Sequence, residues 1–170
     1  ARFSGLYGHW YPHGHTDAEY VRALLNQVRG TILAMNAIRG VIPHARLIQT
    51  EDCGRTFGRP ATREQVAHEQ HRRWLTFDLL TGRVDGRHPL HAFLARAGMT
   101  ADEEEFLLDG NCPPATLGLN YYLTSDRYLD DRLDRYPGET HGSNGHLAYA
   151  DVEAVRAHPA GIAGHEANLV

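Results

Sequence analysis

From Tyr20 onward the apolar residues fall at Tyr20, Leu24, Val28, Ile32, Met35, Ile38 and Ile42. Steps of three and four describe one stripe on an α-helix, and the stripe predicts a helix over about 17–42 with that face buried. Thr16 or Asp17 supplies the cap, because a side-chain oxygen there accepts from an orphan backbone N–H. Pro43 ends the run. A second set, Val66, Gln70, Trp74, Phe77 and Leu80, predicts a helix over about 62–80, opened by Thr62 and Gln65 at capping-box spacing and stopped by Gly82. Two shorter helices follow. One is "HPLHAFLARAG", closed by Gly98; the other is "TADEEEFLL", with acids in its first turn where the helix dipole favours them.

Two apolar runs are too short and too dense for helices. "ARLIQTE" predicts a strand over about 46–51, and "ATLGLNYY" one over about 116–121. Long helical crossovers between short apolar strands imply parallel pairing with helices outside. The order predicts an α/β fold in one domain spanning 1–170. Its parts are a loop over about 1–15, βα units over 16–125, and a loop-rich tail over 126–170, where the pattern weakens.

A chain of 170 residues fits one domain and can bury roughly two thirds of its unfolded surface. Net charge is −4 with neutral His, and arginines alternate with acids, so no basic stripe points to nucleic acid. No apolar run approaches the ~20 residues of a membrane helix, and no signal peptide opens the chain. Cys53 and Cys112 sit far apart in the sequence; they could pair, but the expected reading is free thiols in a reducing cytoplasm. The opening "ARFSGLYGHWYP" has no initiator Met, and "HPAGIAGHEANLV" ends without a packed element. Both suggest a piece of a longer polypeptide. His9, His13 and His15 cluster, and His68 and His71 share a helix face, but no cysteine pair or carboxylate completes a tetrahedral set, so no metal is expected.

Functional groups in parallel α/β folds gather at the carboxyl ends of strands. One strand here ends in Gln49, Thr50, Glu51 and Asp52, the other in Asn120, Tyr121 and Tyr122. The plain reading of both sets is caps and turns. Neighbouring residues on a strand point to opposite sides, so Glu51 and Asp52 do not form a working pair. Trp10, with Tyr7 and Tyr11, could stack on the apolar face of a sugar ring or pack its own loop. "DRYLDDRLDRYP" reads as a solvated, charged face.

"LGLNYYLTS" resembles the "GxNYYxS" segment of family 1 glycoside hydrolases, the retaining β-glycosidases built on a (β/α)8 barrel. The similarity runs in order over most of residues 5–125. "SGLYGHWYPHG" resembles the loop after that family's fourth strand. "ALLNQVRGTILAMNAIRGVIPHARLIQTED" resembles its fourth helix and fifth strand. "RRWLTFDLLTGRVDGRHPL" resembles the helix leading to a "GxYP" turn. The chain is most similar to a divergent bacterial branch, often joined to a sugar-nucleotide reductase domain of the dehydrorhamnose reductase type.

The resemblance implies a partial (β/α)8, or TIM, barrel with parallel strands and outer helices. It implies a cytoplasmic enzyme that hydrolyses O-glycosidic bonds of β-glycosides with retention and needs no cofactor. Asn120 resembles the asparagine near the acid/base carboxylate, and Tyr122 the tyrosine whose hydroxyl supports the nucleophile; Tyr121 is expected to pack or to line the rim. Both catalytic carboxylates are expected outside this chain. The "NEP" motif would precede Ala1, and the "TE.G" motif would follow Val170. Met35 and Asn36 stand where the family has "HA", and His88 stands at the "GxYP" tyrosine. The expected site is therefore Asn120, Tyr122, Glu51 and Trp10 as substrate-binding or supporting residues, with Glu51 the one alternative carboxylate. Expected partners are a carbohydrate substrate, the remainder of the barrel and a sugar-nucleotide reductase domain, with no nucleic acid and no membrane. The alternative is a non-catalytic sugar-binding or structural module beside such a reductase.

Overall fold

The computed structural model describes residues 1–122 and 124–157. The chain divides into two units, Ala1–Gln49 with Leu75–Gly118, and Thr50–Trp74 with Leu119–Val170. It passes from one to the other within β1 (Ile48–Asp52), α3 (Arg63–Leu80) and β3 (Thr116–Asn120). The class is mixed α/β, as expected, but the single parallel sheet expected of one domain is replaced by two small sheets. β1 pairs with β3, and a four-stranded sheet has the order β2-β4-β6-β5.

The first unit is helical. A short helix α1 (Arg2–Gly5) occupies part of the stretch expected to be loop. The chain packs so closely behind it that a Cβ on Gly5 would lie 2.6 Å from Tyr20 Cα. The long helix α2 (Asp17–Val41) starts at Thr16 with a full capping box. The Thr16 hydroxyl accepts from Glu19 N–H, and the Glu19 carboxylate accepts from Thr16 N–H. Tyr20, Leu24, Val28, Ile32 and Met35 are buried as the stripe predicts, joined by Val21 and Leu25. Each such side chain contributes roughly 1.5–3 kcal/mol of transfer free energy. The stripe then fails: Ile38 and Ile42 are exposed, with Leu33 and Val41.

The rest of this core comes from the end of α3 (Leu75, Leu79, Leu80), from Leu94 in α4 (His91–Arg96), from Leu107 in α5 (Ala101–Asp109), and from Leu47, Val84, Leu90, Met99 and Cys112 between the helices. Gly82 stops α3 in the left-handed region, φ 66°. Its N–H donates to Leu79 O and that of Arg83 to Asp78 O, a Schellman closure. Thr100 and Glu103 form a second capping box at α5.

The second unit differs most from expectation. β2 (Thr56–Gly58) pairs in parallel with β4 (Arg127–Asp130), and β4 pairs antiparallel with β6 (Ala148–Glu153). β6 in turn pairs antiparallel with β5 (His141–Ser143) and runs into α6 (Ala154–Ala157). The stretch expected as a loop-rich tail thus holds three strands up to residue 157; residues 158–170 lie outside the described ones. The first part of α3 belongs here. Thr62 forms no capping box with Gln65. Its hydroxyl donates to Arg59 O in a 3-10 turn (Pro60–Thr62), and Gln65 donates to Glu69. Trp74 is exposed and Val66 and Gln70 are half-buried, so the face predicted for this helix is buried only at Phe77 and Leu80.

β1 and β3 leave their apolar side chains uncovered. Ile48 is 66% exposed, Leu117 52% and Leu119 59%. Among the described residues no helix is long and apolar enough to cross a membrane.

Candidate functional site

The chain beyond β3 is held by a buried acid. Asp126 has no exposed surface. One carboxylate oxygen accepts from Arg55 N–H at 2.6 Å, the other from the Tyr121 hydroxyl at 2.6 Å, and its carbonyl accepts from Ala154 N–H at 2.9 Å. An unpaired carboxylate there would cost several kcal/mol, so these donors are a condition of its burial. The chain also touches itself: a Cβ on Gly54 would lie 2.1 Å from Ser125 O, so only glycine fits. Tyr122 and Ser125 close the intervening turn. Tyr122 N–H donates to Ser125 Oγ at 3.0 Å, and Ser125 N–H to Tyr122 O at 2.9 Å.

That anchoring leaves two groups turned outward. Asn120, the last residue of β3, is exposed, and Tyr122 is 61% exposed. Tyr121, expected to be packing or rim, is instead the hydrogen-bonded anchor. Glu51 is half-buried near the end of β1, the strand that pairs with β3, so Glu51 and Asn120 belong to one two-stranded sheet. Asp52 follows the plain reading: its Oδ1 accepts from Gly54 N–H at 3.1 Å and closes a turn. Trp10 belongs to the first unit, whereas Asn120, Tyr122 and Glu51 belong to the second. It stacks on Phe3 with ring centroids 5.1 Å apart and is 64% exposed.

A second buried acid lies on β4. Asp130 is fully buried and takes the Arg132 guanidinium on both oxygens, at 3.0 and 2.7 Å. It also accepts Arg132 N–H and the Tyr136 hydroxyl, with Arg59 3.6 Å away. The Arg132 side chain, and then its N–H and Tyr136, hold the Asp130 carboxyl well below the usual carboxylate range. Burial, and then the bond to Asp130, raise Tyr136. The segment read as a solvated face therefore carries a buried network. The signal lay in Tyr128 and Leu129, an apolar pair between Arg127 and Asp130, but a four-residue strand is too short to show alternation.

No group of three or more His, Cys, Asp or Glu side chains positioned to hold a metal occurs among the described residues. Cys53 and Cys112 are both buried thiols. Comparison with protein-family models, with curated proteins and with solved structures finds no match for this chain.

Proposed function

We propose that this chain is the middle portion of a family 1-like β-glycosidase, from the loop after the fourth barrel strand through the sixth strand. In that enzyme it supplies supporting and substrate-contacting residues and neither catalytic carboxylate. The observation that carries the proposal is the end of β3: the apolar run of "LGLNYY" finishes in an exposed amide and an exposed phenol on a turn fixed by Tyr121 and Asp126. An outward phenol donor suits a carboxylate supplied by another barrel strand, which it would orient and whose basicity it would limit. The uncovered Ile48, Leu117 and Leu119 support the same view, since barrel strands are normally covered on both faces. The parent reaction is hydrolysis with retention through a glycosyl-enzyme intermediate. Its proposed partners are a carbohydrate and the remaining barrel strands.

A second proposal, a non-catalytic sugar-binding module, is favoured by the exposed Trp10–Phe3 stack, whose flat face matches the apolar side of a pyranose. Turnover separates the two from a self-sufficient hydrolase. Retention needs two carboxyl groups about 5–5.5 Å apart, and Asp52 is engaged in its own turn. The 170-residue chain is expected to show no hydrolysis of an aryl β-glycoside. Turnover that disappears in Glu51→Gln would make Glu51 catalytic and end the family assignment.

A further inference from the structure

The second unit carries a cleft that the glycosidase proposal does not use. It measures about 530 Å3 and lies between β2 with its following turn, Val66 and Gln70 of α3, and Tyr128. That volume falls within the ~300–1,000 Å3 typical of small-molecule sites. Two of its polar side chains are engaged within the protein. Gln70 donates to Thr56 O at 2.7 Å and accepts from Arg73 at 3.1 Å; Arg59 donates to Asp131 at 2.7 Å.

Arg55 is different. Its backbone N–H serves Asp126, but its guanidinium lies over Phe57, 5.3 Å from the ring centroid, and makes no ion pair among the described residues. Arg73, on α3 of the same unit, also has no carboxylate partner there. Its Nε is buried without an acceptor, and its guanidinium lies over Trp74 at 4.9 Å. Burial lowers the Arg73 pKa and the like charge of Arg55 adds to it, against the opposing pull of Cys53, Asp126 and Tyr121. The acid near them, Asp126, is buried and already accepts from Arg55 N–H and the Tyr121 hydroxyl. A guanidinium placed over a ring with no carboxylate bonded to it keeps its planar fork for an oxyanion, and two arginines beside a single buried acid leave a positive balance that draws one in.

We propose that this cleft binds the oxyanion group, phosphate or carboxylate, of a small organic molecule. Arg55 makes the direct contact, Arg73 adds positive charge behind it, and Phe57, Pro60 and Val66 take the apolar part of the ligand. The test is equilibrium dialysis of the 170-residue chain against labelled inorganic phosphate, and separately against acetate, with ionic strength fixed by chloride. Saturable uptake of one anion per chain is expected, weakened about tenfold or more in Arg55→Gln, the loss of one charge-assisted contact. Arg135→Gln, which changes an exposed arginine outside the cleft, should bind as the unaltered chain does. The anion that binds more tightly identifies the source of the oxyanion. Emission of Trp74 in a Trp10→Phe background gives an independent readout and should change on saturation. Uptake that never saturates, or that is equal in Arg55→Gln, would overturn the proposal, as would no uptake of either anion.

Discussion

Asp130→Ala is expected to destabilise the second unit by about 2–4 kcal/mol, because hydrogen bonds to a charged group contribute roughly 1.5–3 kcal/mol each and several end on this carboxylate. Arg132 binds it through both side-chain prongs and its own N–H, and Tyr136 adds a hydroxyl. The loss stays below a simple sum, since the half-exposed Arg132 regains water. Urea unfolding with an unchanged slope and a lower midpoint is the expected result; a change under about 0.5 kcal/mol, the range of ordinary surface substitutions, would mean the network is incidental. The same acid sets a pH dependence. Its folded pKa is depressed, so its contribution is fully present above the unfolded value of about 3.9 and is lost as pH falls toward the folded one. Asp130→Asn should therefore flatten the stability profile below about pH 4.

Ile32→Ala is expected to cost about 2–5 kcal/mol through lost transfer energy and a residual cavity. Ile32 has no exposed surface and sits mid-helix in the core of the first unit. Ile38 lies on the same predicted stripe but is exposed, so Ile38→Ala should stay within about 0.5 kcal/mol. Equal losses at the two positions, measured by thermal and chemical unfolding, would show that the stripe is buried along its whole length in solution.

That contrast shows how far the sequence carries. α2 was legible because a cap residue and a three-to-four spacing are local signals, although the sequence expectation leaves the cap open between Thr16 and Asp17 and does not include the capping box that Glu19 completes with Thr16. Where the stripe loses its cover depends on what the rest of the chain brings to it, which spacing does not encode. β1 and β3 were legible as apolar runs, but their exposure was not. The strands after Asp126 were hidden for a different reason. β5 is only "HGS", and β4 carries charges that look solvated until Arg132 and Tyr136 are seen to satisfy them. Asn120 and Tyr122 could be singled out because they follow an apolar strand. The role of Tyr121 could not, since its partner is fixed by how the turn folds back. Arg55 and Arg73 stand 18 positions apart, and only the fold shows that neither has a carboxylate partner among the described residues.

The most direct measurement of the central claim is aryl β-glycoside turnover by the longer polypeptide that the proposal requires, with and without Tyr122→Phe. Removing one hydroxyl that bonds a carboxylate, and almost no volume, should lower kcat about ten- to a hundredfold, the equivalent of roughly 1.5–3 kcal/mol. KM and the melting temperature should change little, because the Tyr122 ring is exposed and its backbone N–H still bonds Ser125. Turnover with that loss is the predicted result. A folded polypeptide without turnover, or turnover indifferent to Tyr122→Phe, would contradict it.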